Sequence, residues 1–160
     1  LPALSEMCIR YRTYRESKVA NRTINKEIFE QQLPEYTLMS HLHPSISERD
    51  TSQDIDVASL MVMADVIISD YSSLPIEASL LNKPTLFYNY DEEDYEKVRG
   101  LNPFYYEIPK KYKFADETSL IQALGKAKKE FQPLFHSWHQ YNTKASLSQL
   151  VNFINKLVKQ

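Results

Sequence analysis

Between Asp65 and Asp70 the chain reads Val66-Ile67-Ile68-Ser69, apolar without alternation. A run of that kind suits a strand covered on both faces, as in a parallel sheet. A second such run, Thr85 to Tyr88, follows after a helical stretch from Pro75 to Leu81 and a break at Asn82-Lys83-Pro84. Proline near a helix start is tolerated there, and proline after its end stops it. Upstream, Met7 to Tyr11 and Tyr36 to Ser40 read as strands. Lys26 to Gln32 and Asp56 to Met63 read as helices, with Asp56 as N-cap. Strands alternating with helices predict an α/β fold, a parallel sheet with helices on its faces. Residues 89–109 read as irregular, Glu117 to Phe131 as one helix, and Ser146 to Lys159 as a terminal one. No repeat or low-complexity linker divides the chain, so residues 1–160 are expected to form a single domain.

Glycine limits the chemistry. The chain has two, Gly100 and Gly125. A phosphate loop or dinucleotide fingerprint needs several at fixed spacing, so that backbone can approach phosphate. A nucleophile elbow also needs flanking glycines, which argues against a serine hydrolase built on Ser72 and His43. A phosphate bound here must be held by side chains and a helix start. The net charge of -2 gives no general field for nucleic acid. One cysteine, Cys8, cannot form an internal disulfide and is expected to be a buried, inert thiol. No stretch approaches the ~18 apolar residues of a membrane span, and no signal peptide is read. The chain opens at Leu1-Pro2 without methionine, as expected of an excised piece.

Ligands of parallel sheets bind beyond the carboxyl ends of the strands. Three proposed strands are followed by Thr13-Tyr14-Arg15, by His41-Leu42-His43, and by Asp70-Tyr71-Ser72-Ser73. All three groups would therefore open onto one edge. Ser72 and Ser73 could donate to a phosphate beside the first amides of the next helix, although spacing alone favours a helix cap. His43 could pair with or donate to a phosphate oxygen, or be fixed before Pro44; position leaves both open. His41, two residues away, would point to the same side of an extended chain. Arg10, Arg12 and Arg15 suit phosphate contact or a solvated basic edge.

Other groups favour structural roles. Asp54-Ile55-Asp56 resembles a metal-holding Asp-x-Asp motif but opens a helix, so a cap is expected. Asp91-Glu92-Glu93-Asp94 reads as a solvated acidic turn. Trp138, His136 and His139 read as a packed cluster. Lys110-Lys111 and Lys126 to Lys129 read as solvated surface. No His or Cys spacing points to zinc, and no metal or cofactor is expected.

The segment Asp65-Val-Ile-Ile-Ser-Asp-Tyr-Ser-Ser-Leu-Pro-Ile-Glu77, then Leu81-Asn-Lys-Pro-Thr-Leu-Phe-Tyr88, Asp91, Tyr95 and Arg99-Gly100, resembles the CDP-glycerol glycerophosphotransferases of teichoic acid and capsule synthesis. Thr13-Tyr14-Arg15 resembles the end of that family's Pro-Thr-Tyr-Arg motif, and His43 the histidine of its Arg-x-His motif. The resemblance implies a Rossmann-like parallel sheet with helices on both faces, the C-terminal half of a GT-B fold. By the same resemblance Thr13 contacts the donor nucleotide, His43 contacts the donor pyrophosphate and is essential, and Ser72 and Ser73 bind phosphate. Glu77 stands where the family usually has aspartate, and would meet a sugar or base hydroxyl. Arg12 replaces the usual proline and His41 the usual arginine, while Asn142-Thr143 replaces an acidic residue and glycine.

The implied reaction is an inverting displacement at the β-phosphorus of CDP-glycerol, or of another CDP-alditol such as CDP-ribitol. A hydroxyl of a lipid-linked saccharide or polymer acceptor attacks and CMP leaves. No nucleic acid takes part. The general base belongs to the N-terminal half of the same enzyme, so the piece alone is expected to be inactive. The whole would be cytoplasmic and peripheral at the inner membrane face. Two alternatives stand beside this reading: a GT-B nucleotide-sugar glycosyltransferase, and an isolated, non-catalytic nucleotide-binding module.

Overall fold

Five parallel strands form the sheet, in the order β2-β1-β3-β4-β5. The structure, a computed structural model, describes residues 5–11, 24–42, 56–139 and 145–158, with the backbone alone for 5–11 and 40–42. The strands are β1 (Ser5–Tyr11), β2 (Tyr36–Leu42), β3 (Val66–Ser69), β4 (Thr85–Tyr88) and β5 (Lys113–Phe114). The helices are α1 (Lys26–Gln32), α2 (Val57–Met63), α3 (Leu74–Leu80), α4 (Glu92–Arg99), α5 (Pro103–Tyr106), α6 (Glu117–Leu124), α7 (Ala127–Glu130) and α8 (Ser146–Val158). Short 3-10 turns occupy Lys110–Tyr112 and His136–His139.

Every residue of β3 is buried, as its sequence requires of a strand covered on both faces. Successive side chains of a strand point to opposite faces. Ile67 accordingly packs with Leu60, Met61 and Ala64 around α2, and with Leu74 and Ala78 of α3. Val66 and Ile68 join the other core with Phe29 of α1 and Leu120, Ile121 and Leu124 of α6. Full burial of each such side chain contributes about 1.5–3 kcal/mol relative to exposure. From β1 the chain steps outward to β2, and from β3 it steps the other way through β4 to β5. The direction reverses between β1 and β3, where open α/β sheets form a crevice at the strands' carboxyl ends. In α8 Leu147, Phe153 and Val158 are all exposed.

Several sequence expectations change. The stretch 89–109, expected to be irregular, contains α4 and α5. Acids Glu92, Glu93 and Asp94 fill the first turn of α4, and Lys97 and Arg99 the last, which complements the helix dipole. Lys97 lies 3.9 Å from Glu93 and 3.8 Å from Asp94. Gly100 closes α4 at φ 72°, donating its N–H to Glu96, a conformation that suits glycine. The acidic group read as a solvated turn is thus a helix start. Asn102 and Pro103 begin α5, with Asn102 Oδ1 accepting from Phe104 N at 3.4 Å. The single helix expected over Glu117 to Phe131 breaks at Gly125-Lys126, and the turn lets Ala127 and Phe131 reach the core. The short strand β5 was not anticipated. β2 runs to Leu42 rather than Ser40, so His41 lies within the strand instead of after it. The loops at 12–23 and 43–55, with Asp54, lie outside the described residues.

Asp56 caps its helix as the sequence suggests, and Asp116 caps α6 without having been singled out. Asp56 accepts from Ser59 N at 3.0 Å, and Asp116 from Ser119 N at 2.8 Å. The serine hydroxyls and amides hold both carboxyls below the usual carboxylate value of 3.8. A lowered folded pKa adds stability above the unfolded value, and that stability disappears as pH falls through the folded one. Asp116→Ala should therefore lower the melting temperature at about pH 7 and change it little at about pH 2. Thermal unfolding followed by circular dichroism across that range checks this; an equal loss at both ends would mean the carboxylate is not the cap.

Candidate active site

The turn that leaves β3 carries Asp70, Tyr71, Ser72 and Ser73 to the carboxyl edge of the sheet. Asp70 Oδ1 accepts from Ser72 N at 2.9 Å, which folds the turn back on itself. Ser69, buried at the strand's end, shares a hydrogen bond with Ser72 between their hydroxyls at 3.0 Å. When Ser69 donates, the Ser72 proton is available to an incoming anion. Ser73 occupies the N-cap position of α3 but makes no capping hydrogen bond with its side chain, contrary to the expectation from spacing. Its hydroxyl is exposed instead.

The far wall comes from the end of α4 and the segment after it. A cleft of about 460 Å³ lies between the two, lined by Asp70, Tyr71, Ser72, Ser73, Tyr95, Arg99, Gly100, Leu101, Asn102 and Phe104. Two serines and an arginine thus line the same cleft, while one oxygen of the Asp70 carboxylate serves Ser72 N. Arginine and hydroxyl donors together suit an anionic oxygen cluster such as a phosphate. Sequence reasoning noted Arg99-Gly100 without giving it a role. The spacing of 26 residues from Ser73 hides the proximity, which arises because α4 follows the next strand of the sheet.

Aromatic and acidic side chains support this corner. Tyr71 donates to Asp91 Oδ1 at 2.7 Å, and its ring stacks on Tyr95 with centroids 4.1 Å apart. Tyr105 donates to Glu92 at 3.0 Å and lies beneath Lys113 Nζ, 3.9 Å from its ring centre. Lys113 is 3.8 Å from Glu92, and Asn89 Nδ2 also donates to that carboxylate. Burial, then the neighbouring carboxylate, pushes both tyrosine hydroxyls well above the ordinary tyrosine range. Both stay protonated donors throughout the working pH range. Among the described residues, Asn89 Oδ1 is buried without a hydrogen-bond partner.

The remaining predicted site residues fall as follows. Glu77 is exposed in the first turn of α3 and does not line the cleft. The backbone of His41 pairs with Arg10 near the end of β2. Ile9 is level with both Ser40 and Ile68, so the ends of β2 and β3 are two strand spacings apart, about 10 Å. Arg12, Thr13 and His43 lie outside the described residues, as do Arg15 and Asn142-Thr143. Asn82-Lys83-Pro84 is a structural turn: Asn82, at φ 55°, ends α3, and the Pro84 carbonyl accepts from Ile67 N at 3.0 Å. His136–His139 form a turn against α3. His139 Nε2 lies 2.6 Å from Ser79 Oγ and 2.8 Å from the Ile76 carbonyl. Trp138 packs edge-on against Phe104 and Phe135, as the expected cluster requires, yet stays 44% exposed. No group of three His, Cys, Asp or Glu among the described residues is placed to hold a metal ion.

A parallel sheet with helices on both faces and a cleft beside its switch point is the Rossmann-like α/β architecture of GT-B-type enzymes. The polymerase described as the wall teichoic acid polymerase TagF shares it: TM-score 0.70 at 22% identity, over 99% of this chain and 45% of that one. The chain belongs to the CDP-glycerol:poly(glycerophosphate) glycerophosphotransferase family, whose sequence profile matches residues 9–156. It is 54% identical to the teichoic acid glycerol-phosphate primase of Staphylococcus aureus, over 91% of this chain and 40% of that protein. It is 31% identical to the primase of Bacillus spizizenii, over 98% of this chain and 45% of that protein. The chain thus spans less than half the length of these relatives.

Proposed function

We propose that this chain is the donor-binding, C-terminal half of a two-domain enzyme that transfers glycerol phosphate from CDP-glycerol to a lipid-linked teichoic acid acceptor. The observation that carries the reading is the cleft at the carboxyl edge of the sheet that Ser72, Ser73 and Arg99 line together. The family and the two primases support the chemistry. A TagF variant soaked with CDPG has also been solved, with a TM-score of 0.68 to this chain.

In this mechanism an acceptor hydroxyl attacks the β-phosphorus of the donor. The bond from that phosphorus to the bridging oxygen breaks, and CMP departs with the electron pair. Negative charge grows on the leaving phosphate, so electrostatic stabilisation is the chief demand on this half. Ser72, Ser73 and Arg99 donate to it. Charge-assisted hydrogen bonds of this kind contribute about 1.5–3 kcal/mol each. His43 contacts the pyrophosphate, with Arg12, Thr13 and His41 nearby, and Glu77 takes a donor hydroxyl. The base that accepts the acceptor's proton comes from the N-terminal half. The whole enzyme works at the inner face of the membrane, reaching its lipid-linked acceptor as a peripheral protein. No helix among the described residues is long and apolar enough to cross a membrane.

Calorimetry on the full-length protein tests the reading. CDP-glycerol and CMP should bind, and UDP-glucose about tenfold more weakly or worse, since pyrimidine discrimination rests on a few hydrogen bonds. Tighter binding of UDP-glucose would replace the donor assignment with that of a nucleotide-sugar glycosyltransferase. Binding of none of the three would leave an interaction module.

A further inference from the structure

α4 buries none of its side chains, yet it carries Arg99 in the wall of the cleft. Its one apolar anchor is Tyr95, half-buried against the core, so its apolar packing is slight beside that of α3 and α6. Its position depends on ties at its edges. Tyr105 and Lys113 hold Glu92 at its first turn, and Tyr106 donates to Glu96 at 2.6 Å on the surface. These ties join α4 to α5 and β5.

Tyr71 makes two further ties, and it sits in the opposite wall. Its hydroxyl donates to Asp91, the residue that precedes α4, and its ring stacks on Tyr95 at an interplanar angle of 24°. Tyr95 is four residues before Arg99, so the two share one side of the helix. Tyr71 also adjoins Ser72 in sequence. One side chain thus links the hydroxyl wall to the guanidinium wall. A hydrogen bond to a carboxylate and an aromatic stack, both partly removed from water, suit such a link. Because the tyrosine stays protonated, the link does not open by losing its proton at working pH.

We infer that Tyr71 is a positioning residue: through Asp91 and Tyr95 it holds Arg99 in the lining of the cleft that Ser72 and Ser73 also line. This rests on the reading of the cleft as the phosphate seat. Tyr71 does not itself touch the phosphate in this account; it holds in place a group that does.

The test compares two probes, CMP and cytidine, binding to the full-length protein by calorimetry. Tyr71→Phe keeps the stack and removes the donor. It should weaken CMP about tenfold, within the range of coupling between linked sites, while cytidine changes less than about twofold. Asp91→Ala alters a half-buried surface side chain and should give the same split, which preserves the test if Tyr71→Phe folds poorly. The double variant should be no worse than the worse single, as expected of two residues acting through one bond. Equal losses for both probes would mark a general structural role and overturn the inference. Unchanged CMP affinity would overturn it as well, with the donor-site reading intact. Failure of the unaltered protein to bind CMP would instead overturn that reading and this inference together.

Discussion

Tyr105→Ala should lower the stability of the domain by about 3–5 kcal/mol, the range for deleting a buried aromatic ring. Tyr105 is fully buried. Its ring meets Phe87 edge-on at 5.9 Å and Tyr71 at 5.3 Å, and Lys113 lies over its face. Removal would open a cavity under the turn and strand Lys113 and Glu92 beside it. For a chain of this size each kcal/mol shifts the melting temperature by about 2–4 °C, so a fall of roughly 10 °C is expected. Tyr105→Phe keeps the ring and loses only the hydroxyl bond to Glu92, and should cost about 1.5–3 kcal/mol. Differential scanning calorimetry separates the two. A shift of Tyr105→Ala no larger than that of Tyr105→Phe would show that the hydroxyl, not ring packing, carries the effect.

His43→Ala in the full-length enzyme should reduce turnover by about 10²–10³, the usual effect of deleting one donor aimed at developing charge. The motive is the position of His43 directly after β2, whose end lies on the same edge as the β3 turn. Because the histidine follows a strand rather than sitting in its middle, the melting temperature should change little. Steady-state kinetics with CDP-glycerol and a lipid-linked acceptor would measure this. Near-normal turnover in a folded variant would remove His43 from the reaction and leave Ser72, Ser73 and Arg99 as the remaining candidates for holding the phosphate.

Those elements whose burial was written in local composition were legible in the sequence. Val66 to Ser69 and Thr85 to Tyr88 are apolar at every position or nearly so, and both are buried strands in register. Asp56 announced its helix through the cap it makes. The Ser72–Ser73 wall was legible for the same reason, since it joins a strand to a helix. Its partner wall was not. Glu92 to Arg99 has no apolar stripe to reveal a helix, and its signal, acids first and bases last, is an electrostatic one easily read as a polar loop. Lys113-Phe114 is too short to show a period, and becomes a strand through its pairing with Phe87 and Tyr88. Ser73 shows the converse: local spacing favoured a cap, and tertiary placement left its hydroxyl open to the cleft.

The contact between His139 and α3 has a bearing on how this domain can be subdivided. One imidazole nitrogen reaches both Ser79 and the Ile76 carbonyl, 60 and 63 positions upstream. Helix α3, which begins just after Ser73, is thereby braced at its rear by a segment translated long after it. A shortened version ending at α7 would retain every strand among the described residues, yet it would lose that brace on the helix that follows the Ser72–Ser73 turn. A unit that keeps α3 braced in this way extends through His139, past β5.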